Sequence, residues 1–518
     1  MVSGSPMQGV SPLIARAGAI TVGELLTAQA RRVPTRTAID DGSRTLDYTS
    51  LNARINRLAH LFSSLGVLRG GRVGILAENR LEYIEAVFAA AKLGAILCAL
   101  NWRLARLELS HCIQLVEPVT ILVSARFRSR LAEADWNGGV IELDRNYELL
   151  IGGFTADEPP VVAEPEDGLL ILYTSGTTGL PKAALISHRA ELARMILSRM
   201  DLGLQESDSF VAWPPMFHMV SLEHAIHVLG MGGKVIIVDG ANIVRIADLI
   251  ETEHQWWLVL LPGMIDRVLD EVKSRGIRPK GIKRIGVLAD LLPSQTVADA
   301  SRLLAAPYWN SFGSTETGML PAAGTLLPPG EEPFTLAKQH NSFYLWRLVD
   351  IDDRDVTPGE AGEMAVRGPT VFSGYWNVDD VNIREFRDGW FHMGDMFVEQ
   401  SDGMLSFVDR IKYLIKSGGE NIYPIEIERI LMADPGVAEA VVVRRRDPEW
   451  GEVPVAFVVT NKDGVTTDYL MAVCRRDLSS YKLPREIRLV GSSDEFPRST
   501  SGKVQRQLVE AWVTGDKP

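Results

Sequence analysis

Cysteine is scarce in this chain: Cys98, Cys112 and Cys474 are the three among 518 residues. Their separations match no metal-ligand spacing, and free buried thiols in a reducing compartment are expected rather than a disulfide framework. Positive charge is short as well. Lysine and arginine number 54 against 66 aspartate and glutamate, a formal net charge of −12. That balance disfavours nucleic acid or an anionic membrane surface as the main partner, so any anion site has to be local. No apolar run is long enough for a transmembrane helix, and the opening MVSGSPMQG has no secretory pattern. The closing GDKP carries no address signal, and a cytoplasmic location is expected. Internal repeats and low-complexity tracts are also missing.

What is present suits a folded protein of more than one domain. Hydrophobic residues make up 46% and charged residues 23%, and 518 residues exceed what one core organises. From about residue 70 to 320, apolar runs (72–77, 119–125, 169–173, 234–239, 257–261) alternate with amphipathic patterns (83–93, 191–200, 243–253). Alternation of this kind predicts βαβ units and sheets covered on both faces. From about 340 to 408, short strands and Gly/Pro turns predict a β-rich subdomain. After Asp409 the pattern reads hairpin, helix near Pro424, strands 438–444 and 453–459, helix 468–478 and strand 487–490. The expected fold class is therefore α/β: a large N-terminal domain over 1–408, and a small α+β C-terminal domain over 409–518.

Residues 173–182 read YTSGTTGLPK. Packed Ser, Thr and Gly leave backbone N–H groups and hydroxyls free to wrap a polyanion. An ordinary P-loop ends Gly-Lys-Ser/Thr, but here Pro181 precedes Lys182 and Ala183 follows, so this is a phosphate loop of another kind, or a plain flexible turn. In SFGSTETG (311–318), Glu316 beside Thr315 suits a metal-associated phosphate and Phe312 a nucleobase; a helix N-cap is the bland alternative. In GWFHMGD (389–395), Asp395 suits the two hydroxyls of a ribose, or merely caps a turn. VDRIKYLIKSGGENIYPIEIE (408–428) places Arg410 at the expected domain junction, where an ordinary strand–loop–helix connection would also fit. PRSTSGKVQR (497–506) sets Lys503 on a glycine-containing loop, or on a basic surface turn.

Taken in order and at these separations, the five strings resemble the adenylate-forming superfamily of acyl-CoA synthetases, peptide-synthetase adenylation domains and luciferases. The resemblance spans nearly the whole chain and includes NRLEYIEAVFAAAKLGAILCALNWRL (79–104). It implies a two-step reaction in which a carboxylate attacks the α-phosphate of ATP, and a thiol then displaces AMP. On that resemblance, Lys503 would meet the carboxylate and α-phosphate. Thr174, Ser175, Gly176, Thr177, Thr178, Gly179 and Lys182 would cover the β- and γ-phosphates. Thr315 would touch the α-phosphate, Glu316 would hold Mg²⁺, Asp395 and Arg410 would bind ribose, and Phe312 would stack on adenine. Lys412 would be the hinge about which a mobile C-terminal domain turns between half-reactions.

The segment WPPMFHMVSLE (213–223) bears on the acid. Amino-acid-activating members carry Asp where this chain has His218, and an unpaired buried ammonium would cost several kcal/mol. An acid without an α-amino group is expected, with a pocket formed by His218, Met219, Leu288, Ala289, Ser311 and Met319; a core histidine is the plainer reading of His218. SGGEN and DPEWGEVP resemble CoA ligases and nominate Gly418, Gly419, Glu420 and Trp450 for CoA, with Arg444, Arg445 and Arg446 either on its phosphates or at a solvated strand end. The chain departs from the family at Ala183, Leu288–Leu291, Phe312 and Tyr413. The expectation is an AMP-forming acid–CoA ligase using ATP, Mg²⁺ and CoA, with a homodimer left open. Transfer to a carrier-protein phosphopantetheine, or to another acceptor, is the alternative. A binding protein with a decayed nucleotide site is the third reading.

Overall fold

The computed structural model describes residues 16–174, 180–261, 263–287, 289–417, 420–462, 464–498 and 503–515. Among these residues the strands form five sheets. The first runs Gly139–Glu142, Thr120–Val123, Arg72–Leu76, Ile96–Ala99, Gly168–Thr174 and Lys182–Ser187, parallel except for its last pair. The second orders Gln255–Trp257, Ser209–Ala212, Lys234–Ile237, Thr37–Asp40 and Thr45–Asp47, again parallel except at one edge. Helices fill the space between. Leu81–Leu93 is buried along its whole length, as expected of a helix with apolar residues on every face. Met219–Met231, similarly apolar, packs against it and against His188–Met200.

A hairpin of Tyr308–Ser314 and Gly318–Leu327 follows, and then the β-rich unit. In that unit Trp390–Glu399 pairs with Ala361–Arg367 on one side and Leu405–Arg410 on the other. The chain leaves this sheet at Arg410, makes one turn over Ile411–Tyr413, and enters the last sheet at Ile415. That sheet (Glu420–Ile422, Ile415–Ser417, Gly451–Thr460, Val437–Asp447, with Glu486–Val490 alongside Gly451–Thr460) has an apolar cluster on each face. It is a small α+β unit with its own core beside a large mixed α/β body. Among the described residues no helix is long and apolar enough to cross a membrane. The three cysteines are free and buried.

One sequence expectation is corrected. The apolar run 257–261 predicts a strand, yet the strand is Gln255–Trp257 and Leu258 adds only an isolated bridge to Ile285. The run is apolar because it is buried, not because it pairs: Leu258, Val259 and Leu260 are fully inaccessible. Beyond the glycine-rich string, residues 182–187, which the sequence pattern did not single out, form a full antiparallel strand back along Gly168–Thr174. Only then does the helix start, with the Ser187 hydroxyl accepting from the Ala190 N–H as N-cap.

Candidate active site

The glycine-rich string bridges a β-hairpin. Thr174 ends one strand and Lys182 opens the other, directly opposite it; Ser175, Gly176, Thr177, Thr178 and Gly179 lie outside the described residues. The Lys182 ammonium sits 3.1 Å from Glu385 Oε1 and 4.1 Å above the centre of the Tyr375 ring. The Tyr375 hydroxyl in turn donates to Glu316 Oε1 at 2.7 Å. The phosphate-loop lysine and the candidate metal ligand are thus joined through one tyrosine.

Thr315 and Glu316 occupy the tip of the 308–327 hairpin, so the helix N-cap reading of SFGSTETG is replaced by a tight β-turn. The tip is pinned by its backbone: the Glu316 carbonyl accepts from the Phe372 N–H at 2.8 Å, and the Thr315 carbonyl accepts from Arg194 at 3.2 Å. Asp395 lies within a strand rather than at a turn. Its cross-strand partner is Arg410, whose Nε donates to Asp395 Oδ1 at 2.9 Å. Burial pushes the Asp395 pKa up, while Arg410 and Lys503 pull it back. The same pairing raises Arg410. Phe312 packs among Phe397 and Phe407 from those two strands, with ring centroids at 4.9 Å in both cases.

Lys503 arrives from the C-terminal unit. Burial lowers its ammonium pKa, Arg410 lowers it further, and Asp395 and Glu316 oppose this. Lys503 is exposed to solvent even though protein atoms crowd around its ammonium. Lys412, on the turn after Arg410, is lowered to about 8 by burial first and by Arg410 next, with Lys503 and Lys182 adding to it. Arg410, Lys412 and Lys503 thus lie within reach of one another's charge and of Asp395, with Glu316 near Lys503 and Lys182, itself paired with Glu385, adding to the field at Lys412. In a protein of net charge −12 this is a local concentration of positive charge.

His218 borders the same space. It precedes the Met219–Met231 helix, contributes no side-chain capping bond, and its Nε2 is buried with no hydrogen-bond partner among the described residues. Burial, then the nearby Arg103 and Lys503 charges, lower its pKa to about 4, so the ring is neutral. Ala289 and Ser311 are buried, and Met219 and Met319 half-buried against the large core; Leu288 lies outside the described residues.

Near the residues nominated for CoA, Ser417 pairs across the sheet with Gly451, and the Lys416 N–H donates to Glu452 at 2.9 Å. The SGGEN and DPEWGEVP strings are thereby neighbours at one sheet end, with Glu420 and the half-exposed Trp450 on it. Gly418 and Gly419 lie outside the described residues. Arg444 pairs with Glu510 and Arg445 with Glu486, so both arginines already have carboxylate partners.

Sequence reading missed Tyr375, Glu385 and Arg194. Tyr375 and Glu385 have no motif around them. Arg194 had a usable signal, because Glu191, Arg194 and Ser198 repeat at helical spacing on the face that proves to be buried. Also unforeseen was a contact between the two units: Asp290 accepts from the buried Lys338 ammonium and from Arg429 Nη2 at 2.9 Å, the latter on the helix Pro424–Met432.

A large α/β body, a small α+β unit carrying a cleft lysine, and a cationic cleft with paired carboxylates together define an adenylate-forming enzyme. The chain belongs to the AMP-binding enzyme family: residues 26–376 match that family and residues 426–503 its C-terminal domain. It is 34% identical over 515 residues to the indoleacetate–CoA ligase of Aromatoleum aromaticum, covering 95% of this chain and 98% of the relative. It is 31% identical to a feruloyl-CoA synthase of Amycolatopsis, over 93% and 97% of the two chains. Among solved structures it resembles ATP-bound MatB from Rhodopseudomonas palustris, at TM-score 0.84 and 25% identity over 96% and 100% of the chains. It also resembles the Bacillus subtilis o-succinylbenzoate CoA synthetase with its acyl-adenylate, at TM-score 0.82 and 26% identity over 94% and 97%. The protein is an AMP-forming ligase that activates an acid as its acyl-adenylate.

Proposed function

We propose that the acid is a carboxylic acid with an aromatic body and no α-amino group, and that the acyl group passes from AMP to CoA. The observation that carries this reading is the position of Lys503, whose charge acts at once on Glu316, on the Asp395–Arg410 pair and on the neutral His218. One cation thus spans the nucleotide side and the acid side of the cleft. In the first step a carboxylate oxygen bonds to the α-phosphorus and the bond to pyrophosphate breaks. Lys503 and the Thr315 hydroxyl stabilise the charge that develops there, and Lys182 receives the leaving phosphates. Asp395 and Arg410 hold the ribose. The residues present suit magnesium: Tyr375 occupies Glu316 Oε1 and leaves the second oxygen for the ion, which when bound offsets phosphate charge. In the second step a thiolate attacks the acyl carbon and the bond to AMP breaks.

His218, lacking a negative charge, provides nothing for a substrate ammonium, which supports an acid over an amino acid. The named relatives act on indoleacetate, 2-succinylbenzoate and ferulate, all aromatic acids, which supports the aromatic body. CoA as acceptor is supported by those names and by the juxtaposed Ser417 and Gly451 segments. Thioester formation also needs Lys503 to withdraw. We place that motion at Lys412, with residues beyond about 409 turning as one domain. The test is a panel of arylacetic, arylpropenoic, benzoic and fatty acids scored for AMP and for CoA thioester. An aromatic acid giving both in equal amounts is expected. AMP-linked activation without thioester would overturn the CoA assignment, and a fatty-acid optimum would overturn the aromatic one.

A further inference from the structure

We propose that Arg194 is a positioning residue for adenylation, holding the Thr315–Glu316 turn at the geometry that the metal-bound phosphates require. The inference rests on the adenylation chemistry above and concerns a side chain that the cleft never touches. Arg194 is 4% exposed and its partner Glu223 is 1% exposed. The guanidinium nitrogens divide among three acceptors. Nη1 donates to Glu223 Oε1 at 2.6 Å, Nε to the Thr370 carbonyl at 3.0 Å, and Nη2 to the Thr315 carbonyl at 3.2 Å.

A buried Arg–Glu pair is an expensive way to fill a core: burial pushes the Glu223 carboxyl up to about 8 against the pull of Arg194, and apolar side chains of the same volume often give equal or greater stability. The arrangement here does something that apolar packing cannot, because it fixes two backbone segments from one rigid fork. Thr315 adjoins Glu316. Thr370 leads into the segment whose Phe372 N–H holds the Glu316 carbonyl and whose Tyr375 hydroxyl holds the Glu316 carboxylate. Both walls around Glu316 therefore refer back to Arg194.

A second feature marks the same spot. Gly318 closes the turn at φ +74°, a left-handed conformation that side chains rarely adopt, and an added Cβ would lie 2.8 Å from Arg194 Cδ. The turn must approach the arginine closely, and only glycine permits it. Glu223 in turn anchors Arg194 to the 219–231 helix that begins beside His218, so the acid side and the phosphate side of the cleft share this support.

Calorimetric binding of ATP to the full-length protein, with and without Mg²⁺, tests the proposal. In the native protein Mg²⁺ should tighten ATP binding. In Arg194→Lys, which keeps the charge but loses the three-way fork, that Mg²⁺-linked gain should shrink about 10-fold or more, with metal-free ATP affinity within about threefold. Gly318→Ala, which keeps both Arg194 and Glu223 but forces the turn away from the arginine, should show the same selective loss and serves if the arginine variant does not fold. An unchanged magnesium gain in both variants, or an equal fall in metal-free and metal-bound affinity, overturns the positioning role. Absence of any magnesium gain in the native protein would instead overturn the adenylation chemistry itself.

Discussion

Lys503 and Lys412 show how placement sets the work of a single ammonium. Lys503→Ala should slow acid-dependent adenylation by about 10²-fold or more, the cost of losing an oriented donor at developing charge. Thioester formation from synthetic acyl-AMP should remain within a few-fold, and single-turnover assays of each half-reaction check this. An equal fall in both would show that Lys503 does not leave the cleft. Lys412 titrates near 8 because burial and Arg410 disfavour its charge. It is cationic below that pH and neutral above, so kcat/KM for ATP should decline as pH rises through about 8. Lys412→Arg, which keeps its charge, should remove that limb. His218, lowered to about 4, stays neutral across this range and should add no limb between pH 6 and 7. At this scale the sequence was informative where residues are written into contiguous strings: Lys503, Glu316, Asp395 and Arg410 lie within reach of one another's charge. Arg194 and Tyr375 stayed hidden because their partners lie 29 to 176 and 59 positions away, and no local spacing encodes such distances.

Among the elements, the helix pair 188–200 and 219–231 carries an unusual interior. Ser198 Oγ lies 2.9 Å from His227 Nδ1, and Glu191 Oε1 lies 3.2 Å from His227 Nε2, all fully buried. Burial raises Glu191 to about 8, with Arg194 opposing, and lowers His227 to about 3. Glu191 is thus held protonated beside a neutral His227, whose Nδ1 shares a hydrogen bond with Ser198 Oγ, while neither Glu191 oxygen nor His227 Nε2 has a hydrogen-bond partner among the described residues. A carboxyl group with a raised folded pKa holds a proton that the unfolded chain releases. Its contribution to stability is therefore complete below about 4.5 and is lost as pH rises toward 8. Glu191→Gln keeps the shape of the side chain and removes that titration. The variant should melt about 1–3 °C above the native protein at pH 8 and level with it at pH 5, by scanning calorimetry. Most strands and helices could be read from periodicity, because each buries one stripe or face. The exceptions were Lys182–Ser187, too short and mixed to look like a strand, and residues 257–261, where burial without pairing imitates one.

For the whole molecule, the division into a large body and a small unit followed from chain length and the change in texture after residue 409. What holds the two in this orientation did not. Lys338 and Asp290 are both buried in the large body, and Arg429 reaches Asp290 from the small unit. Removing Asp290 would strand a buried lysine whose pKa burial already lowers. Removing Arg429 leaves that pair intact and tests only the docking. Arg429→Ala should slow adenylation a few-fold and leave thioester formation from synthetic acyl-AMP equal or faster; a slower second step would mean that Arg429 serves both orientations.

The loop bearing Asp290 also bears Ala289, proposed above as a wall of the acid pocket. Recognition of the acid and seating of the cap are in that case two demands on a single short turn. A misfitting acid that pushes this turn aside loosens the Arg429 anchor as well, so the enzyme would reject it through a poorly seated cap and not through weak binding alone. Discrimination between acids would then register in turnover more than in dissociation constants.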